Sequence, residues 1–191
     1  MHDHFDGGRI PHLAIQMLRA VQYLHQHDII HCNIEPNNCL VEITMGDLLQ
    51  LTGFEEARVE RDGFREEISP LLAAEQGLHI GRLEFRAVEI LLGDTNFSFG
   101  VDIWSIGMIL HTMAVKQTVL TGNTPSDVLE SLFSSLSGPS PVDVVELASL
   151  PGWKASHLRY PENTDWAHNG PTAAMADLVH GMLTYAPSRC S

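Results

Sequence analysis

Apolar residues recur at helical spacing in four stretches of the chain, and these stretches predict its main helices. The clearest stretch covers residues 11–27, where Leu13, Met17, Val21 and Leu24 share one face. The other predicted helices cover residues 101–115, about 126–136 and about 172–183. In residues 101–115 apolar side chains surround nearly the whole circumference, which indicates a buried helix.

Between the first two helices the pattern changes to short apolar runs. Cys39–Glu42 and Leu48–Leu51 predict two strands, with a turn at residues 45–47 between them. Residues 54–88 show no sustained period, and residues 137–171 hold five of the ten prolines, so we expect both to be irregular. The chain is therefore predicted to be mainly α, with one small β-hairpin.

Composition narrows the class of protein. With 191 residues, 44% hydrophobic and 18% charged, the chain has the composition of a globular domain. Acidic residues outnumber basic ones by 24 to 11, which disfavours nucleic-acid partners. No apolar run reaches the roughly 20 residues of a membrane span, and no secretory signal begins the chain. Three sparse cysteines suggest reduced thiols, and hence an intracellular location in the cytoplasm or nucleus.

Four ordered motifs carry a resemblance to a known family. Residues 30–41 read IHCNIEPNNCLV, similar to the H-R-D-L-x-x-x-N catalytic loop of eukaryotic protein kinases. Residues 51–55 stand where that family has D-F-G, residues 86–93 resemble its A-P-E segment, and residues 101–107 resemble the start of its central helix. Residues 86–93 and 136–139 resemble the cyclin-dependent (CMGC-type) branch of the serine/threonine kinases.

The resemblance implies a fold for the whole chain. Residues 1–191 are expected to form the C-terminal lobe of a kinase domain, a mainly α part of an α+β fold. Its regions would be the catalytic loop at 28–42, the activation segment at 53–89 and the central helix at 101–115. The family's β-rich N-terminal lobe carries a Gly-rich loop and a strand lysine, and nothing in this sequence matches them. We therefore expect that lobe to be missing.

The residues that would perform the chemistry are altered. The family's catalytic base falls on Asn33, which cannot take a proton at neutral pH. The metal-binding aspartate of D-F-G falls on Gly53, whereas the other metal position, Asn38, is retained. The lysine that contacts the transferring phosphate is replaced by Glu35, and the arginine that receives an activation-loop phosphate is replaced by Cys32.

The scaffold positions largely match the family. His31 and Phe54 fall where the family stacks an internal hydrophobic column, and Leu40 falls beneath the adenine site. Asp102 falls where the family ties the catalytic loop to the central helix. Glu89 falls where the family pairs a glutamate with a C-terminal arginine, although that slot holds Cys190, beside Arg189.

A regulatory site and two metal alternatives are also open. Ser69, followed by a proline, is the only hydroxyl side chain between residues 54 and 89, and is a candidate phosphorylation site. Glu55 and Glu56 are candidates to replace the lost magnesium ligand. The histidines near the end of the first helix, with Cys32, are candidate ligands of another metal ion.

Three hypotheses follow. The first is a catalytically inactive pseudokinase that acts as a binding or scaffold module, without bound cofactor, although its family uses ATP and Mg²⁺. It would meet a protein partner through an uncovered cleft face around Leu40 and Phe54, and neither nucleic acid nor a membrane. The second is an active serine/threonine kinase of which this chain is a fragment. The third is a decaying gene copy with no selected role.

Overall fold

A computed structural model describes residues 8–60, 81–116, 120–162 and 173–186. The helices are α1 (Arg9–His25), α2 (Val88–Leu91), α3 (Gly100–Val115), α4 (Pro125–Ser135), α5 (Pro141–Leu147) and α6 (Ala173–Met182). The strands are β1 (Ile29–Ile30), β2 (Cys39–Glu42), β3 (Leu48–Leu51) and β4 (Arg58–Val59). In the described part of the chain, no helix is both long and apolar enough to cross a membrane.

The core forms around α3, which contacts both α1 and α6. Its buried residues include Trp104, Ile106 and Leu110, each 1% exposed or less, so the predicted burial nearly all round this helix is confirmed. Helix α1 turns Leu13, Met17 and Val21 toward the core. This packing places the first turn of α3 beside the end of α1, which positions the loop described below.

The predicted hairpin is confirmed. Strands β2 and β3 pair antiparallel with Cys39 opposite Leu51 and Glu42 opposite Leu48. Gly46 completes the turn between them in the left-handed conformation, at φ +75°, which glycine adopts without the strain of a Cβ.

Two irregular predictions were wrong in part. Strands β1 and β4 form a second two-stranded sheet, in which Ile29 lies opposite Val59. Each strand has two residues, so no alternating pattern could develop. Helix α5 lies within residues 137–171, which were expected to be irregular. It forms there because Ser140 and Asp143 make a capping box at its first turn and Pro141 occupies the first helical position. The prolines that suggested irregular structure include one that begins a helix.

Candidate functional site in the loop after the first helix

Asp102, in the first turn of α3, anchors the loop that follows β1. The backbone N–H of His31 donates to its Oδ2 at 2.8 Å, and that of Cys32 donates to its Oδ1 at 2.9 Å. His25 Nε2, from the last turn of α1, lies 2.9 Å from Oδ2. Cys32 adopts φ +64°, an unfavourable conformation for a residue with a side chain. The buried carboxylate therefore holds the loop in a backbone shape that it would not adopt alone.

His31 links this loop to the end of β3. Its ring is fully buried, Nδ1 accepts from the backbone N–H of Asn33 at 3.2 Å, and Nε2 lies 3.1 Å from the carbonyl oxygen of Thr52. This pattern fits a neutral ring protonated on Nε2. Burial lowers the pKa of His31, and the nearby Asp102 carboxylate opposes that effect. The Phe54 ring packs against the His31 ring in a tilted arrangement, with 4.6 Å between the ring centroids.

Asn33, Asn38 and Gly53 meet at the centre of the site. Asn38 donates from Nδ2 to the carbonyl oxygen of Asn33 at 2.9 Å, and its own carbonyl accepts from the N–H of Thr52 at 2.9 Å. Gly53 adopts φ +82°, and a Cβ there would lie 2.5 Å from Cγ of Asn38. Since real Cβ atoms essentially never come that close, the Asn38 amide fills the space of a residue-53 side chain.

Glu35 ties the same loop to the segment before α2, a contact that the sequence did not reveal. Glu35 is 9% exposed, and its Oε2 accepts from the backbone N–H of Arg82 at 3.0 Å. A Cβ on Gly81 would lie 3.0 Å from Oδ1 of Asn33, and the Arg86 guanidinium donates to the carbonyl of Gly81 at 2.7 Å. The side chain at the family's lysine position therefore acts here as an acceptor for the backbone.

The two cysteines of this region are not poised for reaction. Burial raises the pKa of Cys32 to about 12 and that of Cys39 to about 11. Since the thiolate is the nucleophile and the metal ligand, both groups are unreactive thiols at neutral pH.

In the part of the chain that the structure describes, metal ligands do not converge on this site. Within the described ranges, no group of three or more histidine, cysteine or acidic side chains could hold a metal ion. Of the helix-end histidines, His25 faces Asp102, and Nδ1 of His27 lies 2.8 Å from the carbonyl of Tyr23. Magnesium prefers several oxygen ligands, including carboxylates. The residue opposite Asn38 is Gly53, which has no side chain, and the Asn38 amide occupies the space beside it. Among the described residues, those at this site therefore do not fit Mg²⁺.

The remaining predicted positions lie at the edges of the site. Leu40 and Phe54 are 52% and 46% exposed, and Glu89 is buried in α2. Burial raises the pKa of Glu89 to about 7. Ser69, and the residues 189 and 190 considered as partners of Glu89, lie outside the described residues.

Comparisons with known proteins agree with the motif analysis. The protein kinase domain family matches residues 2–191. "Probable cyclin-dependent kinase 10" of Dictyostelium discoideum is 32% identical over 97% of this chain and 48% of its own length. "Cyclin-dependent kinase G-2" of Oryza sativa subsp. indica is 27% identical over 99% of this chain and 26% of its own length. The chain thus spans about half or less of these relatives.

A solved structure supports the fold. The crystal structure of the yeast RNA Pol II CTD kinase CTDK-1 complex contains a chain that superposes with a TM-score of 0.81 and 23% identity. The match covers 98% of this chain and 60% of that chain. The family match over nearly the full length, with cyclin-dependent-kinase-like relatives, places this chain in the protein kinase domain family.

Proposed function

We propose that the chain forms a C-terminal-lobe region of a kinase domain that does not transfer phosphate and instead acts as a binding module. In this family an aspartate of the catalytic loop accepts the proton of the substrate hydroxyl, and the D-F-G aspartate holds Mg²⁺. Asn33 and Gly53 stand at those positions. An amide oxygen accepts a hydrogen bond but takes no proton at neutral pH, so a positioned base worth roughly 10²–10⁴ in rate is lost.

The observation that carries the proposal is the contact between Gly53 and Asn38. A side chain at residue 53 would have to displace the Asn38 amide, which lies 2.5 Å from the position of its Cβ, and the backbone there is left-handed. Residue 53 therefore supplies no metal ligand, and the Asn38 amide occupies the space that its side chain would enter. When bound, Mg²⁺ would neutralise charge on a nucleoside triphosphate. Gly53 supplies no carboxylate to hold the ion.

The charge at the family's lysine position points the same way. A lysine there would attract the transferring phosphate, whereas the Glu35 carboxylate would repel it. Glu35 has a structural task in this chain, since it accepts the N–H of Arg82. The substitution is therefore accommodated by the fold and unfavourable for nucleotide binding.

The proposed role is protein binding by a chain in the cytoplasm or nucleus. Leu40 and Phe54, around the altered site, leave about half of their surface exposed. Exposed apolar side chains near a family ligand site are candidates for such a contact. The solved structure that this chain resembles in fold is a kinase complex, and this supports a partner of protein nature.

The test is a phosphate-transfer assay with radioactive ATP, Mg²⁺ and protein substrates, together with a thermal shift. We expect no labelling above a blank and no rise in melting temperature at millimolar Mg–ATP. A ligand at 100 times its Kd would stabilise the fold by about 2.7 kcal/mol, a shift of several degrees. The matched control is Asn33→Ala. Labelling by the parent that disappears in this variant would refute the proposal.

The second candidate is an active serine/threonine kinase of which this chain is one part. The match to the kinase family and the presence of His31, Asn38 and Asp102 at family positions favour it. The two candidates differ in one measurement, phosphate transfer by the longest product of the gene. If that product labels a peptide and the activity depends on Asn33, the second candidate is correct.

A further inference from the structure

Three hydroxyl side chains of this chain come directly before a proline: Ser69, Thr124 and Ser140. Ser69 lies outside the described residues. Thr124 and Ser140 each cap a helix, α4 and α5, in a capping box with an aspartate three residues later. The two sites share a dipeptide pattern and a local structure, so their surroundings decide whether another protein can reach them.

Thr124 lies at the centre of an exposed stretch. Residues 121–127 are all exposed except Ser126, which is half-buried. Leu120 and Val128, on either side of the stretch, are buried and anchor it to the core. The backbone of Thr124 is extended, at φ −125° and ψ 157°, as expected for a residue before proline. An enzyme can therefore contact three residues on each side of Thr124 without displacing a core side chain.

The contacts of Thr124 are local. Its Oγ1 accepts the backbone N–H of Asp127 at 3.2 Å, and Asp127 Oδ2 accepts the N–H groups of Asn123 and Thr124 at 3.2 and 3.0 Å. All three hydrogen bonds lie at the exposed surface, where water can replace them. Because helix ends open readily, the first turn of α4 can become extended while Val128 stays in place.

Ser140 is less accessible on each of these points. Its hydroxyl donates to Oδ2 of Asp143 at 2.6 Å, and this aspartate is buried. Gly138 and Pro139, which precede it, are also buried, and the N–H of Gly138 donates to the carbonyl of Pro161 at 2.8 Å. Opening this turn would disrupt a packed segment and a buried hydrogen bond, so Ser140 serves as an internal control.

Lys154 places a cation beside Thr124. Its Nζ donates to Oγ of Ser126 at 3.2 Å, two residues after Thr124 in the first turn of α4. A phosphate on Thr124 would carry a charge of about −1.5 to −2, which attracts this ammonium group and is repelled by the Asp127 carboxylate. Since Lys154 belongs to the segment after α5, an ion pair with the phosphate would join that segment to α4.

We propose that Thr124 is a phosphorylation site for a protein kinase that selects a proline after the acceptor residue, and that Lys154 pairs with the phosphate. In this reaction Thr124 Oγ1 forms a bond to the terminal phosphorus of a nucleoside triphosphate held by that kinase. The bond from this phosphorus to the bridging oxygen breaks, the nucleoside diphosphate leaves, and the hydroxyl proton passes to the base of that kinase. The inference goes beyond the proposed binding role and does not rest on it.

The test exposes the purified chain to a proline-directed protein kinase with Mg–ATP and maps the phosphate by mass spectrometry. We expect Thr124 to be phosphorylated about tenfold faster than Ser140. Thr124→Asn, which keeps a helix-capping side chain but has no hydroxyl, should remove the phosphate from residues 121–127, and Ser140→Asn should leave it there. Equal rates at the two sites, or phosphate on Thr121 or Ser126 in place of Thr124, would overturn the proposal.

Two further variants test the selection of proline and the pairing with Lys154. Pro125→Ala should slow phosphorylation of Thr124 about tenfold, because the selected proline is lost, and an unchanged rate would contradict the assignment. Lys154→Gln should lower the melting temperature of the phosphorylated chain by about 2 °C more than that of the unmodified chain. Equal decreases in the two forms would show that Lys154 does not pair with the phosphate.

A reaction without the added kinase keeps this inference apart from the proposed function. Phosphate transferred there comes from the chain itself and refutes the inactive-kinase proposal. Thr124 is judged only on the phosphate that the added kinase contributes, so the two proposals can fail independently.

Discussion

Replacement of Asp102 by alanine tests how the site is held together. Its carboxylate accepts the backbone N–H groups of His31 and Cys32 at 2.8 and 2.9 Å, and it is 1% exposed. The variant leaves both buried N–H donors without that acceptor, which costs roughly 1–3 kcal/mol of stability for each donor. It also removes the contact that holds Cys32 in its left-handed conformation. We expect a loss of about 4 kcal/mol in the free energy of unfolding, which for a chain of this length lowers the melting temperature by about 10 °C.

The assay is thermal and urea unfolding followed by circular dichroism, with two further variants. Asp102→Asn keeps one oxygen acceptor but turns an NH₂ group toward a donor, so we expect about half of the loss. Asp177→Ala is the matched control, because this aspartate lies exposed on α6. It should change the melting temperature by less than about 2 °C, in line with ordinary surface substitutions. If Asp102→Ala melts as close to the parent as the control does, the carboxylate does not hold the loop.

Two further predictions concern backbone space and pH. Gly53→Ala should destabilise the fold by about 2 kcal/mol, because its backbone is left-handed and its Cβ would displace the Asn38 amide from its hydrogen bond to the Asn33 carbonyl. Gly46→Ala, at φ +75° with nothing within 4 Å, should cost about 1 kcal/mol, and equal urea midpoints for the two variants would contradict this. Burial raises the pKa of Glu89 from 4.5 to about 7. The folded chain therefore keeps this proton at a pH where the unfolded chain has lost it, and the free energy of unfolding falls by about 3 kcal/mol as the pH rises from 4.5 to 7. The stability of Glu89→Gln should therefore vary less than that of the parent between pH 4.5 and 7, and parallel pH profiles would count against the assignment.

The elements that the sequence predicted well are a long helix with a sustained apolar pattern and two strands joined by a turn that contains glycine. Helix α3 displays apolar residues over its full length, and β2 and β3 are separated by a turn with glycine in it, so their bounds matched closely. The sheet of β1 and β4 escaped prediction because each strand has two residues and its partner lies about thirty residues away. Such pairing is decided by tertiary packing rather than by local pattern.

In the site, some side-chain contacts could be predicted from the family motif and others could not. The contact of Asp102 with the loop followed from matching a motif, since a carboxylate in the first turn of α3 has a specific role in the family. The contact between Glu35 and Arg82 did not follow, because the matched motif has a lysine at that position and its role involves a ligand. Likewise, glycine at residue 53 indicated a lost ligand, but only the structure shows that Asn38 fills the space.

The side chains that match the family and those that differ fall into two physical classes. His31 and Asp102 bind backbone groups inside the chain, and removing either would leave buried donors or acceptors unpaired, which costs a few kcal/mol of stability. Asn33 and Gly53 stand at positions whose family residues would meet a substrate or a metal ion, so their replacement costs the folded chain little. Loss of phosphate chemistry is therefore compatible with a stable domain, and a domain of that kind retains its surfaces for other uses.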